Sequence, residues 1–171
     1  LKHSYPYLDI FGAFTVQEEI GLRGATTAAY TCKPHIAVVL DCTPAYDLPL
    51  WEVDRGKVEE TTYYNAQLGK GAAIYVAAGR MISDPRLVKH FIQTAEEESI
   101  PYQMRQAGGG GTDGGTIHLQ HEGIPTIAVS VPGRYLHTPY SLARIADWQS
   151  VLSLVHAALI RLTPEILVEE R

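Results

Sequence analysis

The sequence has few of the residues that define several common protein classes. Among its 171 residues are only two cysteines, and no apolar run reaches the roughly 18 residues that a membrane-spanning helix needs. Cys32 and Cys42 are too few for a disulfide scaffold or a structural zinc site, so we interpret both as small packing residues in a reducing, cytoplasmic protein. Basic residues are also in deficit: 14 Lys and Arg against 19 Asp and Glu give a net charge of −5. That balance argues against a nucleic acid or an anionic membrane as partner.

The remaining composition is that of a folded domain. Apolar residues make up 46% of the chain and charged residues 19%, which is typical of globular and not of disordered proteins. The length suits one domain, covering residues 1–171. The chain begins with Leu1 instead of Met and shows no signal-peptide pattern there, so we expect that residues upstream have been removed.

Apolar runs and helical patterns alternate along the chain. Strands are predicted over residues 9–17, 35–40, 72–77, 101–107 (an edge strand) and 125–131, and helices over 22–30, 85–98, 116–122 and 142–162, with a loop over 132–140. The first two strands and the helix between them suggest a parallel βαβ unit. We therefore predict an α/β fold of three layers, in which helices flank a mixed, largely parallel sheet.

Polar side chains follow three of these predicted strands. Glu18 and Glu19 come after the first strand, Asp41 after the second, and His137 a few residues after the last. Because functional groups in open α/β sheets collect beyond the carboxyl ends of the strands, we expect these four at one rim. Carboxylates and imidazole together suit Zn²⁺, Co²⁺ or Mn²⁺, and one of two adjacent glutamates can bind metal while the other acts as general base. Taken singly, each residue is more often a solvated loop residue or a helix cap than a metal ligand, and it is their coincidence at three strand ends that favours a site.

The glycine-rich segment 108–115 lacks the lysine of a phosphate-binding loop, so nucleotide binding is not predicted. We interpret the segment as a turn or a close approach of backbone to substrate, and Asp113 as the cap of the helix that follows. His118 and His121 lie three residues apart on that helix without the glutamate of a zincin motif. We expect them on a solvated or half-buried helix face.

Residues 14–25, Phe-Thr-Val-Gln-Glu-Glu-Ile-Gly-Leu-Arg-Gly-Ala, resemble the signature segment of the tetrahedral (TET-type) and glutamyl aminopeptidases. These are exopeptidases with two metal ions, and some members were once labelled endoglucanases. The resemblance continues in the same order through residues 40–41, 47–49, 68–71, 100–103, 110–113, 123–126 and 131–138. It thus extends along essentially the whole chain.

The resemblance implies roles for four residues. Glu18 matches the general base that deprotonates a water activated by two metal ions. Glu19 and His137 match ligands of one metal, and Asp41 matches a ligand of the other. The resemblance also implies a zinc-exopeptidase-like fold and a cytoplasmic homo-oligomer of dodecamer type. Such an enzyme uses two zinc, cobalt or manganese ions to release N-terminal residues from peptides.

The family's catalytic domain begins further upstream, with a ligand histidine, an inserted dimerisation domain and a bridging aspartate, and none of these has a counterpart here. We therefore expect this chain to be the C-terminal portion of the domain, with a partial metal site and open sheet edges. Two alternatives from other classes remain open. One is a catalytically inactive fragment that at most binds metal or partners. The other is a glycoside hydrolase that pairs Glu18 with Asp41 or Glu19 and uses no metal.

Overall fold

The computed structural model describes residues 8–48, 50–52, 57–59, 66–105 and 110–168. In chain order the elements are α1 (Arg23–Cys32), β1 (Ala37–Pro44), β2 (Leu50–Glu52), β3 (Lys57–Glu59), β4 (Ala72–Tyr75), β5 (Ala77–Ala78), β6 (Met81–Ile82), α2 (Pro85–Glu97), β7 (Tyr102–Arg105), α3 (Gly114–Ile117), β8 (Thr126–Arg134), β9 (Leu142–Ala143), α4 (Ile145–Arg161) and a 3-10 helix (Pro164–Leu167). No helix within these ranges is long and apolar enough to cross a membrane.

The main sheet has the strand order β1-β8-β4-β7, with the short β9 paired to the end of β8. β1 runs parallel to β8, and β4 runs parallel to β7, while β4 and β8 are antiparallel. Most paired residues therefore belong to parallel ladders, so the predicted mixed, largely parallel sheet is confirmed. Among the described strands β1 pairs only with β8, so β1 and β7 form the open edges, as predicted for the segment that contains β7.

Helices cover both faces of the sheet. On one face α2 and α4 pack against the buried side chains of β4 and β8, around Ile74, Phe91, Ile127 and Leu154. On the other face a smaller cluster of Val39, Tyr75, Ala78, Met81 and Ala128 packs against Ile117 of α3, and α3 in turn contacts α1. This arrangement confirms the predicted three-layer α/β fold.

Local chemistry explains why α2 begins at Pro85. Asp84 has an extended backbone and its carboxylate accepts a hydrogen bond from the Arg86 N–H at 3.0 Å, which caps the helix. Proline at the first helical position needs no hydrogen-bond partner. Leu87 and Phe91, four residues apart, lie on the same face and are buried against the sheet.

Four predicted elements differ from those observed. Residues 9–17 form no strand, so the predicted βαβ unit is wrong; the apolar side chains there are exposed and Phe14 is 100% accessible. The helix predicted over 116–122 is the shorter α3, which begins earlier. The loop predicted from residue 132 begins only after Arg134, because β8 continues beside β1 and β9. The helix predicted from residue 142 begins only at Ile145, because Leu142 and Ala143 form β9 and pair with the end of β8.

The two cysteines are free thiols, and only part of their predicted role holds. Cys32 is half-buried at the end of α1, whereas Cys42 is exposed on β1, so the interpretation of Cys42 as a packing residue is wrong. β1 lies at the edge of the sheet, where the helices that cover the central strands leave Cys42 exposed to solvent. The predicted strand over 101–107 and the glycine segment 108–115 lie partly outside the described residues, which omit 106–109.

Candidate active site

Glu18 and Glu19 lie in an irregular segment that leads into α1. The Glu18 carbonyl oxygen accepts hydrogen bonds from the N–H groups of Gly21 (3.2 Å) and Leu22 (3.0 Å). Just before them, Gln17 has a left-handed backbone with φ of 62°. A non-glycine residue in that region costs on the order of 1 kcal/mol and persists only where the surroundings impose it. The turn that presents the two glutamates is thus imposed by its contacts with α1 and not by strand pairing.

Asp41 lies within β1, not at its carboxyl end as predicted, because β1 continues to Pro44 in register with β8. Its carboxylate accepts a hydrogen bond from the neighbouring Cys42 N–H at 2.7 Å. His137 follows the end of β8 and has a left-handed backbone, with φ of 60°. Asp41 and His137 thus come from the two strands that pair side by side.

The structure brings Glu19 and His137 into direct contact. Glu19 Oε1 lies 3.2 Å from His137 Nδ1, and both side chains are about 70% exposed (70% and 73%). Two ligands held tetrahedrally at zinc-ligand distances lie about 3.4 Å apart, so this spacing fits a shared divalent ion. Among the described residues, however, no three His, Cys, Asp or Glu side chains converge closely enough to hold an ion. The contact of Glu19 with His137 is therefore a pair and not a complete metal centre, and the ligand roles that the resemblance implies for these two residues stay predictions.

Electrostatic interactions join the remaining candidates to this pair. Burial raises the pKa of Glu18, and the negative charges of Asp41, Glu19 and Asp113 raise it further, whereas His137 opposes them. Burial also raises the pKa of Asp41, against the hydrogen bond from the neighbouring backbone N–H. All four predicted site residues therefore lie in one electrostatically coupled cluster. A carboxyl group whose pKa is raised by its surroundings is a stronger base than an ordinary surface carboxylate.

Asp113 is the fourth acidic residue of the cluster, and its predicted role as a helix cap is wrong. It precedes α3, but its side chain makes no cap hydrogen bond, because its backbone is already helical (φ −51°, ψ −25°) instead of extended. Its Oδ2 instead accepts a hydrogen bond from the Thr15 hydroxyl at 2.5 Å, across 98 residues of sequence. Its Oδ1 is buried with no hydrogen-bond partner among the described residues. Nothing in the local sequence pattern indicates this contact.

A second contact that sequence reasoning missed lies near the end of β8. Arg134 Nε donates to Asp47 Oδ1 at 2.7 Å, and Asp47 Oδ2 accepts from the Leu68 N–H at 2.9 Å. Burial raises the pKa of Asp47, but these hydrogen bonds outweigh burial and the net pKa is lowered. Asp47 therefore joins the loop after β1, the loop before β4 and the strand that leads to His137.

The two histidines near α3 take no part in the cluster. The ring nitrogen Nδ1 of His118 lies 2.7 Å from the Gly114 carbonyl oxygen, and His118 is half-buried. His121 is exposed and its ring stacks on Tyr30, with ring centroids 5.1 Å apart. The expected exposure of both histidines is confirmed, but α3 ends at Ile117, so neither lies on a helix face as predicted.

Fold and cluster together define an α/β domain that gathers carboxylates and one imidazole at the rim of a mixed sheet. The chain belongs to the M42 glutamyl aminopeptidase family, whose model matches residues 1–154. The resemblance drawn from residues 14–25 and the later segments is therefore confirmed at the level of the family.

Relatives and solved structures agree with this assignment. A protein of Acetivibrio thermocellus is 38% identical over 151 residues, which are 88% of this chain and 43% of that protein. The structure of a TET aminopeptidase from a marine-sediment thaumarchaeon is 33% identical with a TM-score of 0.81, over 90% of this chain and 41% of that one. The Pyrococcus horikoshii TET1 peptidase, which can assemble into a tetrahedron or a large octahedral shell, is 28% identical with a TM-score of 0.67, over 87% and 40%. The chain thus spans about two fifths of these relatives' length.

Proposed function

We propose that the protein containing this chain is a metal-dependent aminopeptidase that hydrolyses the N-terminal residue from peptides. The observation that carries the proposal is the contact of Glu19 with His137, in a chain of the M42 family, with the half-buried Glu18 next to Glu19 in the same cluster. A carboxylate and an imidazole at metal-ligand spacing beside a basic carboxylate are the parts that water-activating metallopeptidases need.

The residues divide between holding metal and moving protons. Glu19 and His137 would hold one divalent ion and Asp41 a second, and the mixed oxygen and nitrogen donors suit zinc, cobalt or manganese. Such ions, when bound, polarise the scissile carbonyl and acidify water. Glu18 accepts the proton of the attacking water and returns it to the leaving amine. Partial burial of Glu18 favours this step, because desolvation disfavours the charged carboxylate and so raises its pKa.

The proposal extends to the rest of the protein. Since the relatives are more than twice as long, we infer that residues 1–171 form the C-terminal portion of the catalytic domain. The further metal ligands that the incomplete centre needs would then come from the remainder of the protein. Assembly of the Pyrococcus horikoshii relative into closed shells supports a homo-oligomer as the working state.

The test compares substitutions within the cluster in the natural full-length protein, purified with cobalt or zinc. Glu18→Gln is expected to lower kcat on aminoacyl-p-nitroanilides about 100-fold or more, with metal content unchanged, because it removes only the base. Glu19→Ala and His137→Ala are expected to lower metal content, measured by elemental analysis, as well as activity. Glu122→Gln, an identical change at an exposed position, is the control and keeps full activity.

Each alternative predicts a different result. If Glu18→Gln keeps substantial activity, Glu18 is not the base. Hydrolysis of a polysaccharide that survives a chelator would support the glycoside hydrolase instead. If neither substrate class is turned over at any metal concentration, the protein is a non-catalytic module and the proposal is wrong.

A further inference from the structure

We propose that Asp113 is a positioning residue for Glu18, acting through the hydrogen bond that its carboxylate accepts from the Thr15 hydroxyl. Asp113 does not touch the reacting atoms in this proposal; it fixes the segment that presents the base. The inference rests on the proposed function, since it assigns a role in the reaction that Glu18 would carry out.

The contact lies where the catalytic segment has little other support on one side. Thr15 is half-buried and its Oγ1 donates to Asp113 Oδ2 at 2.5 Å. The apolar neighbours on either side, Phe14 and Val16, are 100% and 65% exposed. Hydrophobic packing therefore contributes little here, and within the described part of the chain the hydroxyl–carboxylate hydrogen bond is the side-chain interaction that holds Thr15.

The other side of the segment is fixed by backbone hydrogen bonds to α1. The carbonyl oxygens of Val16 and Gln17 accept from the N–H groups of Gly24 and Arg23, at 2.9 and 3.3 Å. These two bonds involve Gln17 and the residue before it, and they hold Gln17 in its left-handed conformation, which is unfavourable without such contacts. The segment is thus held at its start by the Thr15 hydrogen bond and at its end by α1. Glu18 lies between these two points of attachment.

Asp113 is itself attached to a firm support. Its carbonyl oxygen accepts from the N–H groups of Thr116 and Ile117, both at 3.2 Å, so it belongs to the first turn of α3. Ile117 packs against the buried cluster on the sheet, and the Thr116 hydroxyl lies 2.8 Å from that of Thr26 on α1. The position of Asp113 is therefore set by the sheet and by α1 together, and the hydrogen bond transmits that position to the segment before Glu18.

Removing the hydroxyl tests this role. In the natural full-length protein, Thr15→Val keeps the side-chain shape and is expected to lower kcat about tenfold or more, with KM within about twofold and metal content unchanged. Thr15→Ser restores the donor and is expected to return kcat to within about threefold of the wild type. Thr31→Val makes the same change at an exposed position on α1 and is the matched control.

A double-mutant cycle shows whether the effect passes through Asp113. Asp113→Asn keeps an acceptor oxygen and is expected to reduce kcat less than Thr15→Val does. Thr15→Val combined with Asp113→Ala is expected to be no slower than the slower of the two single variants, because both remove one interaction.

The outcomes separate this inference from the proposed function. A wild-type protein with no aminopeptidase activity would refute the proposed function. An active wild type with Thr15→Val within twofold of its kcat, or with additive losses in the double variant, would refute the role of Asp113. Equal losses in Thr15→Val and Thr15→Ser would also refute it, since they show that side-chain packing matters and the hydroxyl does not. Should Thr15→Val fail to fold, Asp113→Ala decides the same question, because it removes the same hydrogen bond: a kcat within twofold of the wild type would refute the role.

Discussion

Gly24 offers the sharpest test of how the glutamate segment is held, because two simple considerations predict opposite results for Gly24→Ala. Gly24 is the second residue of α1 and faces the backbone of Val16. Helix propensity alone favours alanine over glycine by up to about 1 kcal/mol. A Cβ atom at Gly24, however, would lie 2.4 Å from Val16 N and 2.5 Å from Val16 O, where ordinary contacts are 3.4–4 Å.

The clash decides the sign. The two Val16 atoms belong to the backbone and cannot rotate away as a side chain would, so the chain must separate by about 1 Å. Overpacking of this kind costs about 1–3 kcal/mol, and the Gly24 N–H bond to Val16, now 2.9 Å, would lengthen and lose up to about 1 kcal/mol more. We therefore expect a net destabilisation of roughly 1–3 kcal/mol despite the better helix former.

The same displacement reaches Glu18, two residues beyond Val16. Misplacement of a catalytic group by about 1 Å can cost about 100-fold in rate, so kcat is expected to fall at least tenfold. Urea unfolding of the natural full-length protein measures the stability, and hydrolysis of aminoacyl-p-nitroanilides measures the rate. Gly12→Ala is the matched control, since a Cβ there meets nothing within 4 Å. A Gly24→Ala protein as stable and as active as the wild type would show that α1 does not hold the segment in this way.

Three further predictions concern contacts away from Glu18. Asp47→Asn removes the ion pair with Arg134. Because the pKa of Asp47 is lowered in the folded protein, the charged carboxylate stabilises the fold at neutral pH, and this stabilisation is lost as the pH falls below about 4. The unfolding midpoints of the variant and the wild type should therefore converge between pH 7 and pH 3. A constant difference across that range would contradict the assignment. The buried Asp147 carboxylate, 1% exposed, accepts hydrogen bonds from the N–H groups of Gly69 and Gly71. Asp147→Asn leaves one of these N–H groups without its acceptor and is expected to lower the free energy of unfolding in urea by about 1–3 kcal/mol. Leu154→Ala is expected to cost about 2–5 kcal/mol, whereas Leu152→Ala, 56% exposed on the same helix, should change stability by less than about 0.5 kcal/mol.

The parts of the fold that the sequence predicts well are those where burial and periodicity agree. β8 is buried along most of its length between β1 and β4, and the apolar residues over 125–131 predict a strand there. In α2 the spacing of Leu87 and Phe91 predicts the buried face correctly. Residues 9–17 have a similar apolar composition, but their large apolar side chains are exposed and no described strand pairs with them. Composition alone therefore does not distinguish a strand from an unpaired segment.

The candidate site was predicted from strand ends, and the structure gathers the same residues by another route. Glu18 and Glu19 follow no strand, and Asp41 lies inside β1. What brings them to one place is the turn before α1, with Gln17 in a left-handed conformation, and the pairing of β1 with β8. Side-chain roles remain predictions, since only the contact of Glu19 with His137 is direct.

The contacts that sequence reasoning missed share one physical form. Asp113, Asp47 and Asp147 each use a carboxylate to hold a distant segment, through the hydroxyl of Thr15 or through backbone N–H groups of the loop at residues 68–71. Loops at the rim of a sheet have no ladder of their own, so their polar groups must be satisfied by side chains from elsewhere. Sequence periodicity reports only which residues share a face of one element. An aspartate that holds a loop from 98 residues away therefore has the same local pattern as a cap or a surface charge, and only the folded arrangement distinguishes them.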